Sequence, residues 1–102
     1  MSITLKNNSY TDEQIIACLA TCESVISKKA YLEKKWKNCY LYGDLSTGDQ
    51  YRADRMIWME YRTKLQSLLA DKYSMREIIQ RTKSCKSKGT QKMVKEIVSM
   101  MD

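Results

Sequence analysis

An all-α fold is predicted by three features of this 102-residue chain. Proline is absent, only three glycines occur (Gly43, Gly48, Gly89), and apolar residues recur at helical spacing behind three capping boxes. A chain so poor in proline and glycine lacks the residues that tight sheet-forming turns demand, and its helices meet few built-in breaks. At this length one domain buries a core without metal or disulfide staples. The expected architecture is a single domain over residues 1–102, an antiparallel hairpin of two long helices followed by two shorter C-terminal helices in a small bundle.

Residues 1–10 show no helical period and read as a polar lead-in. Thr11 and Gln14 then form a capping box, in which the threonine oxygen accepts a first-turn N–H and the glutamine reaches back to the cap. Helix 1 is expected over 11–41. Its stripe of Ile15, Cys18, Leu19, Cys22, Val25, Ile26, Leu32, Trp36 and Tyr40 keeps to one side. Lys29 and Glu33 interrupt the stripe; four apart, they can pair with each other or equally select a partner helix by charge. Residues 42–49 mix glycine with Ser, Thr and Asp, as a connection does. A second box, Thr47 with Gln50, opens helix 2 over 47–72, with Tyr51, Trp58, Tyr61, Leu65, Leu68 and Leu69 on its main face. A short link requires the two helices to run antiparallel, bringing Glu33 near Arg55 and Ile57, and Trp36 near Asp54.

Residues 56–61 of helix 2 are apolar almost all the way round. Met56 and Met59 stand behind Trp58, so this stretch needs a second neighbour. The C-terminal helices of the same chain are the plainer choice, and self-association through Met56 and Met59 is the other. Ser74 and Glu77 make the third box and introduce helix 3 over 74–85, which offers Ile78 and Ile79 to a core. After Gly89, Thr90 caps helix 4 over 90–101, with Val94, Ile97, Val98 and Met101 apolar.

The formal net charge is +6, and it is concentrated in two runs. Residues 28–37 hold five lysines against Glu33 alone; residues 81–95 hold Arg81, Lys83, Lys86, Lys88, Lys92 and Lys95 with no acid. Clustered cations attract acidic protein surfaces or nucleic-acid phosphate. On the helical wheel, Lys28, Lys34 and Lys35 ring Tyr31 opposite the apolar stripe of helix 1. An aromatic among cations stacks on a base or fills a pocket on an acidic partner. The bland alternative is a solvated face whose lysine stems cover the tyrosine. Helices 3 and 4 have the outline of a helix-turn-helix, but the break from Lys83 to Gly89 is longer and more polar than that motif's turn.

Catalytic apparatus is thin. The chain has no histidine, hence no triad base and no commonest zinc ligand. No enzyme, cofactor or metal site is expected. Cys18, Cys22, Cys39 and Cys85 lack the paired spacing of a zinc site and read as reduced, buried thiols. Asp44 and Asp49 suit a turn, whereas Asp54 falls between Tyr51 and Trp58 and needs a cation, for which a helix 1 lysine is the plain expectation. With no signal core and no stretch long enough to cross a membrane, the expected location is the cytoplasm. The expected role is that of a small, basic, non-enzymatic protein that docks on a macromolecular partner and modulates or inhibits it, with a composition compatible with a phage or bacterial accessory protein. Direct DNA or RNA binding through the basic C-terminal helix-loop-helix is the alternative.

Overall fold

The structure is a computed structural model and describes residues 2–37, 47–86 and 89–101. Two strands, β1 (Ser2–Leu5) and β2 (Asn8–Thr11), precede four helices: α1 (Asp12–Lys35), α2 (Thr47–Leu69), α3 (Met75–Ser84) and α4 (Gln91–Met100). The fold is mostly helical, and among the described residues the all-α expectation fails at the start of the chain. There, β1 and β2 pair antiparallel with Ile3 opposite Tyr10 and Leu5 opposite Asn8. Lys6, at φ 52°, makes the reversal in the left-handed region. The strands form because Ile3, Leu5 and Tyr10 can pack their apolar sides against the helical core. A two-stranded ribbon without such backing would be marginal.

The Thr11 box forms as read: Gln14 N donates to Thr11 Oγ1 at 3.1 Å and Thr11 N to Gln14 Oε1 at 2.8 Å. Asp12 and Glu13 occupy the first turn of α1 and Lys34 and Lys35 the last, both favourable to the helix dipole. α1 ends at Lys35 rather than 41; Cys39, Tyr40 and residues 42–46 of the expected link lie outside the described residues, and residues 47–49 belong to α2. α1 and α2 run antiparallel, because rising positions on one meet falling positions on the other. Arg62 Nη1 lies 3.0 Å from Glu23, Lys29 Nζ 3.3 Å from Asp54, and Arg55 Nε 3.0 Å from Glu33. Lys29 and Glu33 therefore each pair across to α2 instead of with each other. Asp54 finds its helix 1 lysine but is exposed, not buried between Tyr51 and Trp58. Beyond Arg55, Gly48 N donates to Trp36 O at 3.0 Å, so Trp36 meets Gly48 rather than Asp54.

The Thr47 box does not form. Thr47 is already helical, and its buried Oγ1 has no hydrogen-bond partner among the described residues. α2 ends at Leu69, three residues short of expectation. A turn follows in which Lys72 N and Tyr73 N both donate to Leu69 O at 3.0 Å. That turn delivers Lys72 Nζ and Tyr73 Oη to the two carboxylate oxygens of Asp12, at 3.1 and 3.0 Å. Partial burial works to raise the Asp12 carboxyl, but the two hydrogen bonds and the Lys72 charge outweigh it, and its pKa falls below 3.8. The hydrogen bond to Asp12, with burial, holds the Tyr73 phenol above its ordinary value.

The core gathers Ile15, Cys18, Leu19 and Cys22 of α1, Trp58, Leu65 and Leu69 of α2, Ile78 of α3, and Val94, Ile97 and Val98 of α4. Each large aliphatic side chain fully buried there contributes about 1.5–3 kcal/mol. The two short helices close over one half of the α1–α2 pair. Their connection is pinned to α1: Gly89 N donates to Ala17 O at 3.1 Å, and Thr21 Oγ1 donates to Gly89 O at 2.6 Å. The other half of the pair, beyond Val25 and Trp58, is a two-helix arm. The molecule is accordingly elongated, 48 × 28 × 20 Å.

Candidate functional site: the outer face of the first helix

α1 buries Ile15, Cys18, Leu19, Cys22 and Val25, and helical periodicity turns the residues half a turn away toward solvent. On the arm those residues are Lys28, Tyr31, Lys34 and Lys35, all exposed. Tyr31 is 65% exposed, the largest exposure among the big hydrophobic side chains described. Among the described residues no ion pair joins an acid to Lys28 or Lys34; Glu33 and Asp54 are engaged by Arg55 and Lys29, and Asp49 of α2 lines a pocket beside Lys34. Lys35 Nζ lies 5.5 Å from the Trp36 ring centre. The outcome is an aromatic ring in water bordered by three cations.

The second basic run is not one surface. Arg81 turns toward the N-terminal half of α1 and stacks on Tyr73 at 4.5 Å, where Tyr73 in turn holds Asp12. The guanidinium keeps its charge and stays exposed, but its position is tied to Tyr73. Lys83 lines a groove with α1, Lys86 is exposed at the end of α3, and Lys92 and Lys95 lie on the exposed side of α4. Lys88 lies outside the described residues. The fold thus separates cations that the sequence lists together, and it brings Lys83 to the side of the molecule where the first run sits.

That groove, about 660 Å³, runs between α1, α2 and α3. Leu19 and Ala20 are among its α1 residues; Met75 and Ile79 of α3 form an apolar wall, and Glu23, Arg62, Gln66 and Lys83 supply polar groups. Ile79 is 43% exposed, so only Ile78 of the expected pair enters the core. Sequence reasoning missed this wall. Its signal was the spacing: Met75 and Ile79 are one turn apart, and both lie off the line of Ile78.

On α2, Met56 is 58% exposed and Ile57 is also exposed, whereas Met59 is partly buried and receives the Arg55 guanidinium at 3.9 Å. The C-terminal helices do not cover this stretch. Met56 and Ile57 are thus the most exposed apolar side chains of this stretch, with Met59 partly covered beside them. Cys18 and Cys22 are fully buried, and burial pushes their thiols up to about 11 and about 12. Neither is a thiolate at neutral pH, so neither is a ready nucleophile. Among the described residues no three Cys, Asp or Glu side chains gather as a metal site, and no helix is long and apolar enough to cross a membrane.

No protein-family model matches the chain, and no similar curated protein or solved structure is found.

Proposed function

We propose that this protein is a non-catalytic docking protein whose α1 outer face engages an acidic surface on a protein partner and so modulates or blocks that partner. The observation that carries the reading is Tyr31, exposed at the centre of Lys28, Lys34 and Lys35 on an arm stiffened by two cross-helix ion pairs. A rigid aromatic with few rotamers makes an anchor at low entropic cost, and surrounding cations steer an anionic partner toward it. Lysines are point charges, better suited to a carboxylate-rich surface than to bidentate reading of guanine. Direct nucleic-acid binding has less support, because Arg81 is stacked on Tyr73 and, among the described residues of its run, Lys83 lines the α1 groove while Lys92 and Lys95 stand on α4. The absence of histidine and the unreactive state of Cys18 and Cys22 support a role without catalysis.

The test compares labelled polyglutamate with labelled duplex DNA by fluorescence anisotropy over a salt series. Reversal of Lys28, Lys34 and Lys35 to Glu, or Tyr31→Ala, should weaken polyglutamate binding, while reversal of Lys86, Lys92 and Lys95 should change it little. Tight, steeply salt-dependent DNA binding that is lost only in the second set would sink this reading and favour nucleic-acid recognition.

A further inference from the structure

The groove beside α3 and the Tyr31 face share one side of α1. Ala20, Ser24 and Ser27 line the groove, and Tyr31 follows at the next four-residue step. From Leu19 to Tyr31 the surface extends about 18 Å along the helix axis, roughly three turns. Its walls are apolar where Met75 and Ile79 stand exposed. Its borders are cationic: Arg76 and Lys83 flank Ile79 at one turn on either side, and Lys28, Lys34 and Lys35 border the far end. Glu23, the acid in the groove, is already held by Arg62 at 3.0 Å.

We infer that this groove seats an amphipathic helix of a partner protein, with aliphatic side chains on Met75 and Ile79 and acidic residues on the flanking lysines. The inference rests on the α1 docking reading and specifies the occupant. A trough between helices with one apolar wall, here Met75 and Ile79 facing the polar Arg62 and Gln66, accepts an amphipathic helix through anchors one turn apart. The cationic borders select an acidic one. A second copy of this chain is a poor fit, since none of its four helices carries more acids than cations. A phosphate backbone is also a poor fit, because it would lie against the exposed aliphatic side chains of Met75 and Ile79 with no stacking partner between them and Tyr31.

The probe is a stapled helical peptide of about four turns with a leucine stripe and glutamates elsewhere. Its controls are the same peptide with lysines for glutamates, and duplex DNA. Titrated into isotopically labelled protein, the acidic peptide should move the amide signals of Ala20, Ser24, Ser27, Ile79 and Lys83. It should bind at least tenfold more tightly than the lysine peptide. Ile79→Asp should weaken it at least tenfold; Lys83→Glu, which changes only an exposed charge, is the second variant should Ile79→Asp fail to fold by circular dichroism.

Absence of binding, equal binding of the lysine peptide, or shifts confined to α4 would overturn the inference. So would tighter binding of DNA at the same residues. A concentration-dependent dimer abolished by Ile79→Asp would assign the groove to a second copy and equally overturn it. If peptide binding survives both Ile79→Asp and Lys83→Glu but is lost on reversal of Lys28, Lys34 and Lys35, the groove assignment falls and the docking face stands. The opposite pattern removes the docking face and leaves the groove.

Discussion

Replacing Gly48 by alanine tests the closest approach of the two long helices. A Cβ on residue 48 would stand 2.7 Å from Lys37 Cα and 3.0 Å from the carbonyl oxygens of Glu33 and Trp36. All three are backbone atoms, so no rotamer change relieves the clash. Reaching ordinary contact near 3.4 Å requires the helices to part by about 0.7 Å at this point. Overpacking of this kind costs about 1–3 kcal/mol. Losing the bond from Gly48 N to Trp36 O would add about 1 kcal/mol. Against this, alanine exceeds glycine in helix propensity by about 1 kcal/mol. The net expectation is a destabilisation of about 1–3 kcal/mol. Urea denaturation followed by far-UV circular dichroism measures it directly. Thermal melts should agree, at roughly 4–8 °C per kcal/mol for a domain of this size. A variant as stable as the parent, or more stable, would show that α1 and α2 cross farther apart than described, and the cross-helix pairs of the arm would then need reassignment.

Three further outcomes are expected. Asp12→Asn should destabilise the protein at neutral pH but not in acid: because the folded carboxyl lies below 3.8, its stabilisation is present above that value and disappears as pH falls through the folded pKa. An unchanged acid-denaturation profile in the variant would contradict the Lys72 and Tyr73 contacts. Cys18 and Cys22 should react with a thiol reagent at pH 8 only as fast as the helices that cover them open, since burial removes both access and thiolate; fast labelling of both in the native state would refute their burial. Met56→Gln with Ile57→Gln should leave helicity intact and weaken any self-association seen by sedimentation, and a parent that stays monomeric at high concentration would dismiss this patch as an interface.

The helices were legible because their signals are local. Thr11 with Gln14 and Ser74 with Glu77 form capping boxes as their spacing predicts, and Thr90 accepts from Met93 N at 3.0 Å as a cap should. The pairing of Glu33 with Arg55 followed from periodicity and an antiparallel register alone. The failures were long-range in origin. Thr47 has the cap's composition, yet it is itself helical and its buried Oγ1 finds no partner among the described residues. The alternation of Ile3 and Leu5 was visible, but a ribbon so short acquires strand structure only from the core behind it. In the candidate site, Tyr31 and its lysines were readable from one helical wheel. The separation of Arg81 and Lys83 from Lys92 and Lys95 was not, because it depends on where α3 and α4 dock and on the Tyr73 ring on which Arg81 stacks.

The hydrogen bonds that fasten Gly89 to α1 also order the events of folding. The ion pairs between α1 and α2 join residues 22 to 39 apart in the chain, whereas Thr21 reaches Gly89 across 68 residues and Asn8 Nδ2 reaches Met100 Sδ across 92. Closing longer loops costs more entropy, so the α1–α2 pair can assemble while the last two helices are still undocked. The same hierarchy holds in the native ensemble, where the α3–α4 unit is the segment expected to open below the global unfolding free energy. Such an opening would uncover Cys18, against which Gly89 packs, and would remove the Met75 and Ile79 wall while leaving the Tyr31 face formed. Hydrogen exchange should therefore resolve two classes of amide in α1, with those near Tyr31 indifferent to the docking of α3 and α4 and those near Ala17 protected only while it persists.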